Sequence, residues 1–587
     1  FGDRSGGSPG MRLQTFCEES FEFHTLVDPI ATFCYQPMPV QPVIKIVPGK
    51  PERFVAIAPT IRAVGETFDV RLKAEDKWGN PSDQCDCQLI VRSNKLIDGL
   101  PEKVALRPGQ FSVSIAGLRV HEANDLFIEF FDEAGASLCN TNPIRIESMP
   151  SSRHFWGDLH GQSEETIGTG TAENYFKFAR DFAFLDAIGH QGNDFQITTK
   201  FWHHLDELCS AFNENGKFVA IPGYEWSGNT GLGGDRNIYF PDTGRVLRRS
   251  SHAMVSDHSD IATDCNSANE LFDAFAENNE KDVVVYAHCG GRYADIELAH
   301  DGRFEKAMEV HSSWGTFEWL IHDAFRLGYR VGIVANSDGH KGRPGASYPG
   351  AALFGAVGGL TCFLVSQLTR ESILDCIRKR HHYATTGGLN GRPLIALNAE
   401  FSEPATIYHD DPRHCDAEGY RAASAIMGDI VHLRDGYMHL QVEAVCSAPI
   451  ERVDIFNGLD LIDTVRPYTQ DELGARIKVI WEGAEYRGRF RQVIWDGSAF
   501  LSENSIVKAH SINFFNKDKI LERVASNELK WKALTTGNIG GFEIILADAY
   551  KGTLKIETPL VKASIPIENI GFEDELFDCS GLLARYL

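Results

Sequence analysis

At 587 residues the chain is too long for one hydrophobic core, and 43% hydrophobic with 24% charged residues is the composition of a folded multidomain protein. Lys and Arg (57) against Asp and Glu (81) leave a net charge of −24, a field that repels phosphodiester backbones and argues against a nucleic-acid groove. No run approaches the roughly 20 apolar residues that span a bilayer, so a small molecule or a second copy of the chain is the expected partner, and neither nucleic acid nor membrane.

The 13 cysteines are odd in number, scattered, and without a CxxC pair, which favours reduced thiols in a cytoplasmic protein over a disulfide framework or zinc ribbon. Phe1 to Gly10 shows neither a basic stretch nor an apolar one of the secretory type. The numbered chain does not begin with Met, so a periplasmic or secreted destination stays open.

Taken in order, residues 1–42 read as an N-terminal arm. Residues 43–150 alternate with strand period, as in Thr67-Phe-Asp-Val-Arg-Leu and Leu126-Phe-Ile-Glu-Phe-Phe, with turn signals at Trp78-Gly-Asn-Pro and Arg107-Pro-Gly. Short strands at this spacing predict a β-sandwich, and Gly65 to Pro81 resembles bacterial immunoglobulin-like modules. Over residues 151–390 strand-like runs alternate with helical ones: Ala172 to Phe182, Trp202 to Asn215, Ala268 to Asn278, Phe317 to Leu327 and Arg370 to Arg380. That alternation predicts parallel strands with crossover helices, an α/β unit. Residues 391–587 return to strands and predict a second β-rich sandwich.

The central unit places polar residues just after apolar runs, where a barrel's C-terminal strand ends carry reactive groups. In order come Asp158-Leu-His160-Gly-Gln162, Gly189-His190-Gln191, Tyr224-Glu225, Ala287-His288, Glu309-Val-His311 and Asp338-Gly-His340. Such groups would repel one another and resist burial unless a cation neutralised them. Imidazole with carboxylate is a donor set for Zn, Mn or Fe. The metal-ligand candidates are therefore His160, His190, Glu225, His288, His311, Asp338 and His340, with Glu309 as an alternative to His311. Asp158 is read as an acceptor that holds a histidine tautomer.

The segments GDLHGQS, LDAIGHQGND, PGYEW, GDRNIYF, MEVHSSWGTFEW, SDGHKG and LTRESILDCIRKRHHYATTG together resemble the PHP (polymerase and histidinol phosphatase) superfamily over about Phe155 to Gly387. The resemblance implies a distorted TIM-like barrel of seven strands flanked by the sandwiches, and a metal-dependent hydrolase acting first on phosphoesters. It sets His160 at the first position of an H-x-H, Glu225, His288 and His311 at later strand positions, and Asp338 with His340 at the closing D-x-H. Gln162 stands where a second His is usual, and Gly189-His190-Gln191 where T-D-H is usual, so one or two metal ions are expected instead of three.

Asp338 and His311 are the candidate proton-transfer residues, and Gln162, Gln191, Asn193, Arg236 and Arg343 the candidate substrate contacts. A salt bridge from Glu225 to Arg236 is the structural alternative. Trp156, Tyr224, Trp226, Trp314, Trp319 and Tyr348 would suit an organic substrate with an apolar body. That keeps an ester, amide or lyase reaction in view beside phosphoester hydrolysis. A non-catalytic binding protein with a structural metal is the reading from another class. The adjacent pair His381-His382 is read as structural.

Overall fold

Period-two alternation builds the first unit. In Thr67–Glu75 the side chains of Phe68, Val70, Leu72 and Ala74 are buried while Thr67, Asp69 and Arg71 face solvent. This strand lies between Ser112–Arg119 and Arg53–Ile57 in one antiparallel sheet. A second sheet runs Ser137–Asn140, Ile128–Phe131, Cys87–Ser93, Lys103–Leu106. Val70, Leu72, Leu89, Leu106, Ile128 and Phe130 meet in one core between them. The structure, a computed structural model, describes residues 4–11, 13–347, 356–387, 391–414, 416–483, 493–514, 519–535, 538–571 and 574–579.

The central unit comprises, in chain order, β1 (Arg153–Asp158), α1 (Ala172–Asp181), β2 (Ala187–Gly189), α2 (Thr199–Phe212), β3 (Val219–Ile221), β4 (Gly223–Ser227), β5 (Asp235–Tyr239), α3 (Ala268–Glu277), β6 (Val284–His288), β7 (Glu305–Ser312), β8 (Gly315–Thr316), α4 (Glu318–Arg326), β9 (Gly332–Ala335), β10 (Leu360–Val365), α5 (Arg370–Arg378) and β11 (His382–Thr385). Four of its five helices open on a Ser or Thr whose hydroxyl accepts an N–H of the first turn: Thr171, Thr198, Ser267 and Thr369.

These strands do not close into the expected TIM-like, seven-stranded barrel. They form a five-stranded sheet in the order β3-β2-β1-β10-β11 and a six-stranded sheet in the order β4-β5-β6-β7-β8, with β9 pairing β7. Over the whole chain strand accounts for 40% and helix for 12%, in many small sheets, and among the described residues no barrel closes. The break is local and physical. Only Pro222 separates β3 from β4, and a proline cannot donate to a sheet ladder. The chain turns there into the second sheet, where β4, β5 and β6 pair antiparallel and only a three-residue 3-10 turn, Thr230–Leu232, separates β4 from β5. Gly223 is required at this corner, because a Cβ there would lie 2.2 Å from the Ile238 carbonyl oxygen.

β12 (Leu394–Tyr408), β13 (Tyr420–Ile426), β14 (Ile430–His432) and β15 (Met438–Val445) form the next sheet, with β12 pairing all the others. A last β unit gathers around Trp481, which stacks on Trp531 (5.6 Å, 11°) and Trp495 (6.2 Å, 25°). Among the described residues no helix is long and apolar enough to cross a membrane.

Candidate metal centre

Two isolated bridges join the sheets and bring their loaded strand ends together. Gly161 pairs with Gly339 in parallel, and Gln162 N–H donates to the Gly339 carbonyl at 2.9 Å, so His160 after β1 faces Asp338 after β9. Asn193 pairs with Glu225, which sets β4 beside the loop that follows β2. Within the second sheet Glu225 lies opposite Asn237, and His288 lies opposite Glu309. Alternation then puts Asp235 and Asn237 on one face of β5 and Arg236 on the other. Asp338 adopts φ +45, a left-handed conformation uncommon outside glycine and best tolerated by Asp and Asn.

The outcome is a buried cluster of charge. His160 Nδ1 lies 3.0 Å from Glu309 Oε1, while its Nε2 lies 3.3 Å from Asp338 Oδ1 and 3.6 Å from Glu225 Oε2. His288 Nε2 lies 3.5 Å from Glu225 Oε1 and 3.9 Å from Asp235 Oδ2. The two imidazoles meet edge to face with centroids 4.6 Å apart. His340, its side chain 15% exposed, has its buried Nε2 3.3 Å from Asp338 Oδ1. Despite these approaches, His160 Nε2 and both ring nitrogens of His288 are buried without a hydrogen bond. Buried polar atoms that leave such partners unused incur a desolvation cost, and donors aimed at a shared point are the arrangement a cation satisfies. Two overlapping sets, His160–His288–Glu309 and Glu225–Asp235–His288, have ligand atoms close enough for one ion each. Gly290 keeps this space free, since a Cβ there would sit 2.4 Å from His288 Cε1.

Glu309 also accepts from Asn336 Nδ2 at 2.6 Å. His160 Nδ1 lies 3.0 Å from both Glu309 Oε1 and Asn237 Nδ2; a carboxylate fixed in this way can accept the Nδ1–H and leave Nε2 facing Asp338 and Glu225, as the outer partner of a ligating histidine does. At the rim Arg292 donates from Nε to Asp235 at 2.8 Å, its side chain 29% exposed and its guanidinium over the Phe195 ring.

Burial depresses the His160 pKa, but the carboxylates of Asp338, Glu309 and Glu225 outweigh it and hold the imidazole well above its ordinary value. His288 is also raised, with burial and His160 opposing Glu225 and Asp338. Burial would raise Glu225 and Asp338, yet the imidazoles hold both below the usual carboxylate range. Asp235 is pushed up to about 7 by burial and by Glu225, against Arg292 and His288. A histidine raised in the folded state stabilises fully below its unfolded pKa of about 6.5 and loses that contribution as pH rises through the folded value. A carboxyl raised by burial, such as Asp235, opposes folding increasingly as pH rises from about 3.9 to its folded value. Chelator-treated protein should therefore lose stability as pH rises above about 6.5, whereas metal-loaded protein should not, because the cation takes the place of the protons. Urea midpoints in slightly acidic and mildly alkaline buffer read this directly. Equal losses in both forms would contradict it.

The cluster takes in His160, Glu225, His288, Asp338 and His340 of the expected ligands. His190 stands outside it: its Nε2 is 2.8 Å from Ser163 Oγ, its ring packs edge-on against Tyr175 and Phe201, and burial lowers its pKa to about 3. His311 is not a ligand or proton carrier here. The register against β9 shifts between Glu309 and His311, and both His311 nitrogens are engaged, with Thr316 Oγ1 at 2.9 Å and the Val357 carbonyl at 2.8 Å.

Of the expected substrate contacts, Gln162 reaches the centre, donating to Glu225 Oε2 at 3.3 Å and to Asn193 Oδ1 at 3.2 Å. Asn193 is held by Ser227 Oγ, and Gln191 spans the backbone N–H and carbonyl of Ile238. Arg236 is fully buried against Glu305 and the Ala299 carbonyl, away from Glu225. Arg343 ties the central unit to the first sandwich through the Trp78 carbonyl and Asn80 Oδ1. Asp158 holds no histidine tautomer; it accepts the backbone N–H groups of His160, Ser337 and Gly345. Trp156, Tyr224, Trp226 and Trp314 belong to buried cores rather than to a substrate wall, and Tyr348 lies outside the described residues. Asp235, Asn237 and Arg292 are additions. Their signal was the i,i+2 pair Asp235/Asn237 in a strand antiparallel to that of Glu225.

No family model matches this chain. It is similar to uncharacterised proteins of Chlamydia. An uncharacterised protein of Chlamydia pneumoniae is 20% identical over 465 residues, covering 73% of this chain and 71% of the relative. Those of Chlamydia muridarum and Chlamydia trachomatis are each 21% identical, over 65% and 70% of this chain and 63% and 65% of their own lengths. Among solved structures, one titled "Structure of PhoD" is 10% identical, covers 24% of this chain and 27% of its own, and has a TM-score of 0.14. A glycoside hydrolase family 2 β-glucuronidase covers 87% of this chain and 61% of its own at a TM-score of 0.15. Scores this low relate neither fold to this one.

Proposed function

We propose that the chain is a divalent-metal-dependent hydrolase, with phosphoesters as its first substrate class. The observation that carries the proposal is the aim of His160 Nε2 and both His288 nitrogens, none of them hydrogen-bonded, at the carboxylates of Glu225, Asp235, Asp338 and Glu309. One or two ions would be held by residues drawn from His160, Glu225, His288 and Asp338, with Asp235 and His340 at the edges; this N/O donor set suits Zn, Mn or Fe. The motif resemblance to the PHP superfamily supports this ligand set, and the barrel forms no part of the proposal.

A divalent ion bound there supplies Lewis acidity to a substrate oxygen and acidifies water towards a pKa of about 7. Glu309 fixes the His160 tautomer, and Gln162 steadies Glu225 from the opposite side. Asp338 and His340, 3.3 Å apart, offer a path for a proton between the buried cavity and the half-exposed rim. Arg292, anchored through Nε on Asp235 and with Nη2 4.0 Å from Glu225 Oε1, adds a fixed positive charge beside the carboxylates, which supports an anionic substrate over a neutral one. Free thiols at all the described cysteines support a cytoplasmic location.

The test is a turnover screen across phosphomonoesters, phosphodiesters, carboxylic esters and amides, with the chain loaded by Zn or Mn. Chelator-sensitive release of phosphate or an alcohol from a phosphoester is the expected result. Turnover confined to esters or amides would move the proposal to a non-phosphate substrate. A metal-loaded chain that turns over nothing would overturn it in favour of a binding protein.

A further inference from the structure

A second group of metal-ligating side chains lies away from the centre described above. His381 precedes β11, His409 follows β12, and Asp429 sits in the turn between β13 and β14. The segment holding His381 packs at the start of β9: a Cβ at Gly332 would touch the His382 ring and the Arg380 side chain. Asp338 follows the other end of β9, six positions on, and the two groups share no residue.

His381 Nε2 lies 2.8 Å from Asp429 Oδ1, and His409 Nδ1 lies 3.4 Å from the same oxygen. The rings stand 5.7 Å apart at 84°. Asp429 Oδ2 is occupied by the Ile426 N–H at 3.1 Å, which leaves Oδ1 to face both imidazoles. His409 Nδ1 is buried and makes no hydrogen bond. In a purely hydrogen-bonded arrangement that nitrogen would be the unsatisfied member, at a cost. Tetrahedral bonds of ~2.0–2.1 Å put neighbouring ligand atoms about 3.3 Å apart, so the observed separations need only small rotations to enclose an ion.

The backbones carrying the three ligands are locked together by one residue. Arg380, itself at φ +62, donates from Nε to the Gly428 carbonyl at 2.9 Å and from Nη2 to the His409 carbonyl at 2.5 Å. Gly428 packs so closely that a Cβ there would sit 2.3 Å from the Arg380 carbonyl oxygen. The ligand geometry is thus set before any ion arrives, which lowers the cost of binding.

We infer that His381 Nε2, His409 Nδ1 and Asp429 Oδ1 form a second divalent transition-metal site, suited to Zn²⁺, that clips the end of the central unit to the β12–β14 sheet. Three protein ligands would leave one position of a four-coordinate ion for water or another small ligand. A metal joining segments distant in sequence adds binding free energy to folding.

The test uses the full chain, stripped by chelator and then equilibrated with Zn²⁺. His409→Ala should bind one equivalent fewer than wild type with an unchanged far-UV spectrum, and His288→Ala should keep the equivalent that His409→Ala loses. Equal stoichiometry in wild type and His409→Ala would overturn the inference. If the variant does not fold, crystals of wild type soaked in Zn²⁺ decide: an anomalous peak among His381, His409 and Asp429 supports the site, and its absence there overturns it.

Discussion

His288→Ala should abolish metal-dependent turnover, by at least about a thousandfold, and should cost the chain metal from its centre. His288 is the residue shared by both ligand sets, so its removal opens each. Loss of a cation's charge stabilisation is worth several kcal/mol in a transition state, and about 4 kcal/mol is a factor of a thousand. The change also leaves Glu225, Asp235, Glu309 and Asp338 facing one another with less positive charge, so the variant should unfold more readily at neutral pH than at mildly acidic pH, where a carboxyl can protonate. Steady-state kinetics on the folded variant check the first part. Full activity with metal still bound would rule out His288 as a ligand.

Arg236→Ala should act on stability and leave metal binding alone. The guanidinium is fully buried, pairs with Glu305 at 3.0 Å and donates to the carbonyls of Gly233, Gly234 and Ala299. Truncation strands Glu305, which keeps only His300 at 2.6 Å, and breaking a buried pair of this kind costs about 3–5 kcal/mol. Replacing both members by apolar residues, as in Arg236→Met with Glu305→Leu, should cost less than the single change, because no buried carboxylate is left without its guanidinium, even though His300 loses its Glu305 partner. Urea midpoints for the three proteins read the comparison. Unchanged stability in Arg236→Ala together with a raised KM would return Arg236 to the role of a substrate contact.

Much of the centre was legible because its residues obey a rule of strand chemistry: a polar group after an apolar run points past the end of a sheet. His160, Glu225, His288 and Asp338 follow it. His311 follows it too in sequence, but the register against β9 shifts between Glu309 and His311, its ring is taken up by Thr316 and the Val357 carbonyl, and no spacing in Glu309-Val310-His311 announces that shift. The barrel failed for a related reason. Helix and strand segments alternate as a barrel requires, yet Pro222 shifts the chain from one sheet to another, and one proline reads equally well as a turn within a single sheet. Arg236 and Arg292 show the limit for charged side chains. Both lie near the centre in sequence, and only strand pairing settles that Arg236 faces Glu305 while Arg292 meets Asp235. His381, taken with its neighbour His382, reads as structural. Its partners His409 and Asp429 are far along the chain, joined to it only by the fold.

The central claim is that buried imidazoles and carboxylates converge here around a cation. Elemental analysis of divalent metal per chain, on wild type and His288→Ala purified side by side without added chelator, tests it most directly. The account predicts at least one equivalent more in wild type than in the variant; equal metal content in the two, both folded, would contradict it.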